Sequence, residues 1–336
     1  MEKQSDLLLD IQHLHTGYRL QGKFYDAADD VNLTLKRDEV LAIVGESGSG
    51  KSTIASSIIG LYDKKNTRVT GDIMYDDLNL VGLNVDLFNK IRGDKIGMIF
   101  QDPLSSLNPL MRVGDQVAET LLYHTNLNEK ERKEKVIQLF SQVGIPNPIK
   151  LYQNYPHELS GGLRQRVVIA MAIACEPEII IADEPTTALD VTIQAQILDL
   201  LKDIQKKSHS GIILITHDLG VVAETADEVA VMYAGQVVEK ADVKTIFEHP
   251  LHPYTRSLLN SMPQLEGLDD DEDLHVIQGT VPSLKNMPRT GDRFAERIPW
   301  IPESAHEADP KMHEVEPGHF VRCTCWKTFH FQDEAE

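Results

Sequence analysis

Gly45-Glu46-Ser47-Gly48-Ser49-Gly50-Lys51-Ser52 decides the reading of this chain. These residues fit G-x-x-x-x-G-K-[ST], a loop that cradles phosphates. Val40-Leu41-Ala42-Ile43-Val44 precedes it, an apolar run of buried-strand length. Thr53-Ile54-Ala55-Ser56-Ser57-Ile58-Ile59 follows and reads as the start of a buried helix. The glycines let backbone N–H groups turn onto a phosphate chain without Cβ clashes, and a helix N-terminus adds a dipole that favours anions. In such a loop Lys51 reaches the β- and γ-phosphates and the Ser52 hydroxyl ligates Mg²⁺. A plain Gly/Ser-rich turn is the alternative, and the strand and helix flanks argue against it. The pattern points to a nucleoside triphosphate.

Upstream, Leu7-Leu8-Leu9-Asp10-Ile11 and Val31-Asn32-Leu33-Thr34-Leu35 read as strands of an antiparallel preface. Tyr18 lies in it, either to stack on an adenine ring or as an ordinary half-buried strand tyrosine. Downstream, residues 71–75 continue this preface and residues 95–100 form a buried strand ending at Gln101. From about 102 to 175 the pattern is helical, with Pro146 and Pro148 as breaks. This segment holds Leu159-Ser160-Gly161-Gly162, which opens a helix.

Two fully apolar, β-branched runs come next: Ile179-Ile180-Ile181-Ala182, closing on Asp183-Glu184, and Gly211-Ile212-Ile213-Leu214-Ile215-Thr216, closing on His217-Asp218. Helical periodicity over 192–206 separates them. Strands without alternation, joined by a helix, indicate a parallel sheet buried on both faces, which binds ligands at its strand C-termini. Residues 229–233 and 236–239 form a last hairpin. From about 245 the character changes to a short helix over 255–262, an acidic linker at 266–273 with six carboxylates, and a Pro-, His- and aromatic-rich appendage read as irregular.

The 336 residues are 41% hydrophobic and 25% charged, the balance of a soluble globular protein. A net charge of −19 argues against nucleic acid as a partner. No apolar stretch has transmembrane length and the start lacks signal-peptide features, so a membrane role is expected to come through partners. Three cysteines, Cys175, Cys323 and Cys325, do not make a disulfide framework, and a reducing cytosol fits best.

At the strand ends, Asp183 is placed to hold Mg²⁺ through its water shell, and Glu184 to polarise an attacking water. Gln101 could touch Mg²⁺ and that water, and His217 could hydrogen-bond the γ-phosphate. Each is a commonplace strand-end residue by itself. Their order downstream of the P-loop, with Leu159-Ser160-Gly161-Gly162 before Asp183, is jointly specific.

The set resembles the ATP-binding-cassette (ABC) ATPase family over residues 7 to 245: P-loop, Q-loop (Gln101), signature motif (Leu159-Ser160-Gly161-Gly162-Leu163), Walker B (Asp183-Glu184), D-loop (Ala188-Leu189-Asp190) and switch histidine (His217). Ile181-Ala182-Asp183-Glu184-Pro185-Thr186-Thr187, Thr216-His217-Asp218-Leu219-Gly220 and His252-Pro253-Tyr254-Thr255 are similar to the oligopeptide/dipeptide importer subfamily, in its D-type subunit. The resemblance implies an α/β P-loop ATPase with a parallel core sheet, an antiparallel β subdomain and a helical subdomain (about 102–175). The cassette would span 1–245, and a small irregular extension 246–336. It implies ATP and Mg²⁺ as cofactors. Glu184, His217, Lys51 and Gln101 would be catalytic, and Ser52, Gln101 and Asp183 would lie around Mg²⁺. Tyr18, the loop from Gly45 through Thr53, Ser160, Gly161, Gly162 and Asp190 would contact nucleotide. Two cassettes would sandwich two ATP molecules, each P-loop facing the other subunit's signature motif.

The implied partners are a second, homologous ATPase subunit (a heterodimer), two transmembrane permease subunits and an extracytoplasmic peptide-binding protein. The implied location is the cytoplasmic face of the cell membrane, peripherally, and the implied work is peptide import. Importers of another solute (nickel, a glycan precursor) share the extension, and a soluble, non-transport ABC ATPase is a further alternative. One departure stands out. D-type subunits can carry four extension cysteines that hold an iron–sulfur cluster, and the first three matching positions here read Asp292, Ile298 and Ala305, leaving Cys323. No cluster is expected. Cys323-x-Cys325 supplies two metal ligands, half a site, and Trp300, Phe320, Trp326 and Phe329 are expected to pack the extension.

Overall fold

The computed structural model describes residues 6–187, 189–261 and 279–332. Ala188, Met262 and the acidic linker at 266–273 lie outside them. Strands form where apolar and β-branched residues run together. They are β1 Leu7–Leu20, β2 Lys23–Lys36, β3 Val40–Val44, β4 Thr67–Tyr75, β5 Leu78–Asn79, β6 Ile96–Ile99, β7 Ile179–Asp183, β8 Gly211–Thr216, β9 Glu228–Tyr233, β10 Gln236–Asp242, β11 Met312–Glu316 and β12 His319–Arg322. The helices are α1 Lys51–Ile58, α2 Val85–Ile91, α3 Pro103–Ser106, α4 Val113–His124, α5 Glu129–Gln142, α6 Pro148–Leu151, α7 Gly161–Ala172, α8 Val191–Ser208, α9 Leu219–Thr225, α10 Val243–Glu248 and α11 Pro253–Asn260. Among the described residues no helix is long and apolar enough to cross a membrane.

The chain divides into two compact units. One takes in Thr34–Val40 and Met74–Ile215 together with the residues up to Leu9, and the other Asp10–Leu33, Leu41–Ile73 and the chain from Thr216 onward.

In the first unit β6, β7 and β8 run parallel, Ile96 opposite Ile179 and Ile179 opposite Gly211. Every residue of β7 and β8 is buried, as expected of a parallel sheet covered on both faces. Parallel register brings the strands' C-terminal ends together, so Gln101, Asp183 and Glu184 emerge at one end of this sheet. The helices over 103–172 carry their own core: Val113, Val117 and Leu121 of α4, and Val136, Leu139 and Phe140 of α5. Asn128 caps α5 with Glu131 in a reciprocal capping box. Gly114 lets α4 approach Tyr152, because a Cβ there would stand 2.2 Å from the ring.

In the second unit β3 pairs in parallel with β9, Leu41 opposite Glu228 and Val44 opposite Val231. The chain turns at Ala234-Gly235, φ 46° and 86°, a two-residue turn with the positive φ values of type I′, and returns as β10 antiparallel to β9. The strands expected at 7–11 and 31–35 are parts of a longer hairpin, β1 and β2 with 14 residues each. It too turns on a positive-φ pair, Gln21-Gly22. The extension contributes regular structure: β12 pairs antiparallel with β10 (Glu239 opposite Val321) and β11 with β12, giving the order β11-β12-β10-β9-β3.

The core of this unit joins Val229, Val231 and Tyr233 of β9 to Ile246, Tyr254, Phe294, Ile298 and Phe329. Tyr233, Tyr254 and Phe294 meet with ring centroids 4.7–5.4 Å apart, a geometry that adds attraction beyond area burial. Of the aromatics expected to pack the extension, Phe329 is in this core and Trp300 lies against it. Trp300 also donates its indole N–H to the His330 carbonyl at 2.9 Å. Glu239, fully buried, accepts from the Leu251 and His252 amides at 2.8 and 3.0 Å and binds His319 Nε2 at 2.7 Å. One side chain thus fixes the approach to α11 and the start of β12.

Candidate phosphate-binding loop and strand-end carboxylates

The loop from Gly45 to Gly50 is shaped by backbone that side chains resist. Gly45, Gly48 and Gly50 have φ of 149°, 82° and 103°. A Cβ on Gly45 would stand 2.1 Å from the Met232 carbonyl, and one on Gly50 2.3 Å from the Ala27 carbonyl. Gly50 caps α1, which starts at Lys51, so the loop delivers Lys51, Ser52 and Thr53 to a helix N-terminus, where amides favour an anion. Lys51 is 5% exposed, and its ammonium donates to the carbonyls of Gly45 and Glu46 at 2.7 and 3.0 Å. The lysine is thereby folded over the loop that it would serve. Ser49 is fully buried, and its carbonyl accepts from the Gly235 amide at 2.8 Å, which ties the loop to the β9–β10 turn. Tyr18, half-buried on β1, donates from its hydroxyl to Thr53 Oγ1 at 3.3 Å, which places its ring beside the first turn of α1. His217, in this unit, is exposed just after β8, and Asp218 caps α9 behind it.

Two contacts at this loop were not anticipated from the sequence. Tyr254 Oη accepts from the Glu46 amide at 2.8 Å, and Arg297 Nη1 donates to Glu46 Oε2 at 2.6 Å. Burial pushes the Tyr254 hydroxyl pKa up, so it stays a neutral phenol. Burial alone would lower the Arg297 pKa, but its hydrogen bond with Glu46 outweighs that and raises it. Tyr254 stood in His252-Pro253-Tyr254-Thr255, a signal the sequence did display. Arg297 carried none.

In the first unit, Gln101 and Glu184 meet: Gln101 Nε2 donates to Glu184 Oε2 at 2.8 Å. The same oxygen accepts from Thr187 Oγ1, also at 2.8 Å. Glu184 has φ 47°, uncommon for a residue with a side chain and costing of order 1 kcal/mol. Its amide donates to the Ile215 carbonyl at 2.9 Å, which holds the strained turn at the end of β7. Asp183, beside it, is 6% exposed. The Gln101 side-chain amide and the Thr187 hydroxyl thus fix the Glu184 carboxylate at the end of β7.

Elsewhere in this unit, Ser160 caps α7, its side chain accepting from the Leu163 amide at 3.4 Å. Gly161 and Gly162 form the first turn. A Cβ on Gly162 would stand 2.9 Å from Ile193 Cγ2, so glycine allows α7 to start close against α8. Asp190 caps α8, accepting from the Ile193 amide at 3.0 Å. Ser160, Gly161 and Asp190 are exposed.

Comparison with known proteins accords with this arrangement. Residues 28–187 match the family described as "ABC transporter" and residues 238–300 the "Oligopeptide/dipeptide transporter, C-terminal region". The chain is 54% identical over 332 residues to the oligopeptide transport ATP-binding protein OppD of Lactococcus lactis subsp. cremoris, covering 98% of each. It is 49% identical over 321 residues to the Bacillus subtilis protein of that name, covering 94% of this chain and 88% of the relative. Among solved structures it resembles the dimeric ATP-binding cassette MJ0796 bound to ADP and Pi, with TM-score 0.64 and 30% identity over 70% of this chain and 99% of that one. It also resembles cbiO1 of Clostridium perfringens, with TM-score 0.62 and 31% identity over 73% and 92%. The chain is an ATP-binding-cassette ATPase and belongs to the oligopeptide/dipeptide transporter family of ATP-binding subunits.

Proposed function

We propose that this chain hydrolyses ATP to power import of oligopeptides through a membrane complex. The near full-length identity to OppD carries the choice of cargo. The Glu184 carboxylate, held by Gln101 and Thr187 at the end of a buried parallel strand, supports the hydrolytic chemistry.

The roles follow the residues. The loop from Gly45 through Thr53 receives the phosphates, with Lys51 exchanging its loop carbonyls for β- and γ-oxygens. Tyr18, beside Thr53, is placed for the adenine. Ser52, Asp183 and Gln101 offer hydroxyl, carboxylate and amide oxygens, an all-oxygen set that suits Mg²⁺, and the bound ion would neutralise charge on the phosphates. Glu184 orients and polarises the attacking water, and His217 reaches the γ-phosphate. Ser160, Gly161 and Asp190, exposed at helix starts, and Gly162 beside them serve ATP seated on a partner cassette. Binding then favours the closed pair and hydrolysis releases it.

We place the cassette at residues 1–245 and the extension at 246–336; the two family matches cover 28–187 and 238–300. The partners are a second cassette, two permease subunits and an external peptide-binding protein, and the chain works peripherally at the cytoplasmic face. The test is ATPase activity of the membrane complex purified through this chain, with and without peptide-loaded binding protein. Stimulation by peptide supports this reading. Indifference to peptide with a response to another solute replaces the cargo, and failure to retain any permease subunit removes the transport role.

A further inference from the structure

The extension brings together four metal-ligating side chains that sequence spacing kept apart. Asp292, His306, Cys323 and Cys325 each present one ligand atom, and these atoms all lie within 4.8 Å of one another. Cys323 and Cys325 are 1% and 0% exposed, and the side chains of Asp292 and His306 6% and 8%. His306 Nδ1 stands 2.6 Å from Asp292 Oδ2, and Cys325 Sγ 3.3 Å from the same oxygen. Cys323 Sγ accepts from the Glu307 amide at 3.4 Å, and both cysteines are free thiols. The expectation that Cys323-x-Cys325 is half a site therefore needs correction, because folding adds a carboxylate and an imidazole. Of the positions matched to the cluster cysteines, Asp292 and Cys323 are in this group. Ile298 is instead in the apolar core, and the residue after Ala305, His306, supplies the ligand.

We propose that these four side chains bind a single zinc ion. Two sulfurs, one imidazole nitrogen and one carboxylate oxygen match the donor types and number of structural zinc sites. The donor set fits poorly to an iron–sulfur cluster, which takes four thiolates in its cubane form, and ligand atoms this close together surround one ion. The local fold points the same way. Cys323 holds φ 70°, a left-handed conformation that costs a cysteine free energy and that turns Cys323 and Cys325 onto one centre. Apart from the β11–β12 hairpin, residues 279–332 contain only short 3₁₀ turns, and so little regular structure is commonly stapled by metal or disulfide.

The site also has leverage. Asp292 precedes Arg293 and Phe294: Arg293 pairs with Asp29 and donates to the Ala234 carbonyl, and Phe294 packs on Tyr233 and Tyr254. Fixing Asp292 fixes the segment that grips β2 and the β9–β10 turn.

The test is elemental analysis of the full chain purified from cells supplied with both zinc and iron. Stoichiometric zinc in the wild type, lost in the Cys323→Ser/Cys325→Ser double variant, is expected. In case the double variant does not fold, wild-type chain stripped by a chelator and reloaded with Co²⁺ reads the same site. Absorption from thiolate-to-metal charge transfer and intense bands of four-coordinate cobalt are expected, and Zn²⁺ should displace them. Stoichiometric iron, or a chain that takes up neither Zn²⁺ nor Co²⁺ while both thiols react freely, overturns the proposal and leaves a hydrogen-bonded quartet.

Discussion

Arg297 and Glu46 lie 251 positions apart in sequence, yet the guanidinium of one donates to the carboxylate of the other at 2.6 Å. Arg297 is nearly buried and Glu46 is 30% exposed in its side chain, so the pair is shielded at one end and screened at the other. Removing Glu46 takes the carboxylate away from a buried guanidinium. Glu46→Ala should cost about 2 kcal/mol of stability after allowing for that exposure. It should also weaken ATP binding several-fold, because the loop loses a support. Thermal unfolding and nucleotide titration measure the two effects, and equal behaviour of variant and native chain would discard the support role.

Glu184→Gln keeps the size of the side chain and its contact with Gln101, but removes the charge that polarises water. Hydrolysis should fall by about 10²-fold or more while ATP affinity stays within a few-fold. Steady-state turnover and equilibrium nucleotide binding, on the assembled complex, separate the two quantities.

Lys51→Ala removes the ammonium now held by the Gly45 and Glu46 carbonyls. ATP affinity should drop by at least ~10-fold, the scale of one lost charge-assisted hydrogen bond, with ADP affected less than ATP. Gly50→Ala attacks the same loop by another route. At φ 103° and with a carbonyl 2.3 Å from the new methyl, the backbone must shift, and nucleotide binding should be lost even with Lys51 present.

Glu178 gives the acid side of stability a specific contributor. Burial would raise the Glu178 carboxyl pKa. Hydrogen bonds from Arg37 Nη2 and Tyr75 Oη, both 2.9 Å, outweigh burial and hold it below the usual carboxylate range. A carboxyl lowered by folding adds stability above its unfolded value of about 4.3, and that contribution fades as pH falls through the lower folded value. Glu178→Gln should be destabilised by about 1–3 kcal/mol near neutrality, and the gap should close in acid. Urea midpoints across pH test the sign.

Motifs that act through backbone were readable in the sequence. The glycines of the P-loop, the strand before it and the apolar runs of β7 and β8 signal themselves, because their composition is their geometry. Glu184 and Gln101 could be assigned from position after a strand, and parallel register then brought them within hydrogen-bonding distance. What stayed hidden depends on long-range closure. The length of the β1–β2 hairpin hides because polar residues such as Asp29 and Asp30 interrupt its pattern, although the backbone continues through them. Arg297 is one arginine among many until Phe294 and Tyr233 bury its stem. His306 has no ligand-like spacing to Cys323, so only the folded extension joins them.

The β11–β12 hairpin changes which side of the sheet meets solvent. Without it, β10 would offer the backbone around Glu239 and Lys240, the residues that stand opposite Val321 and Phe320, as an edge for another chain's strand. With it, the outermost strand is Met312-His313-Glu314-Val315-Glu316, whose two glutamates discourage such pairing. The extension therefore covers the β10 edge and puts an acidic strand in its place. A chain cut before Met312 should remain able to bind nucleotide, yet clump as its concentration rises.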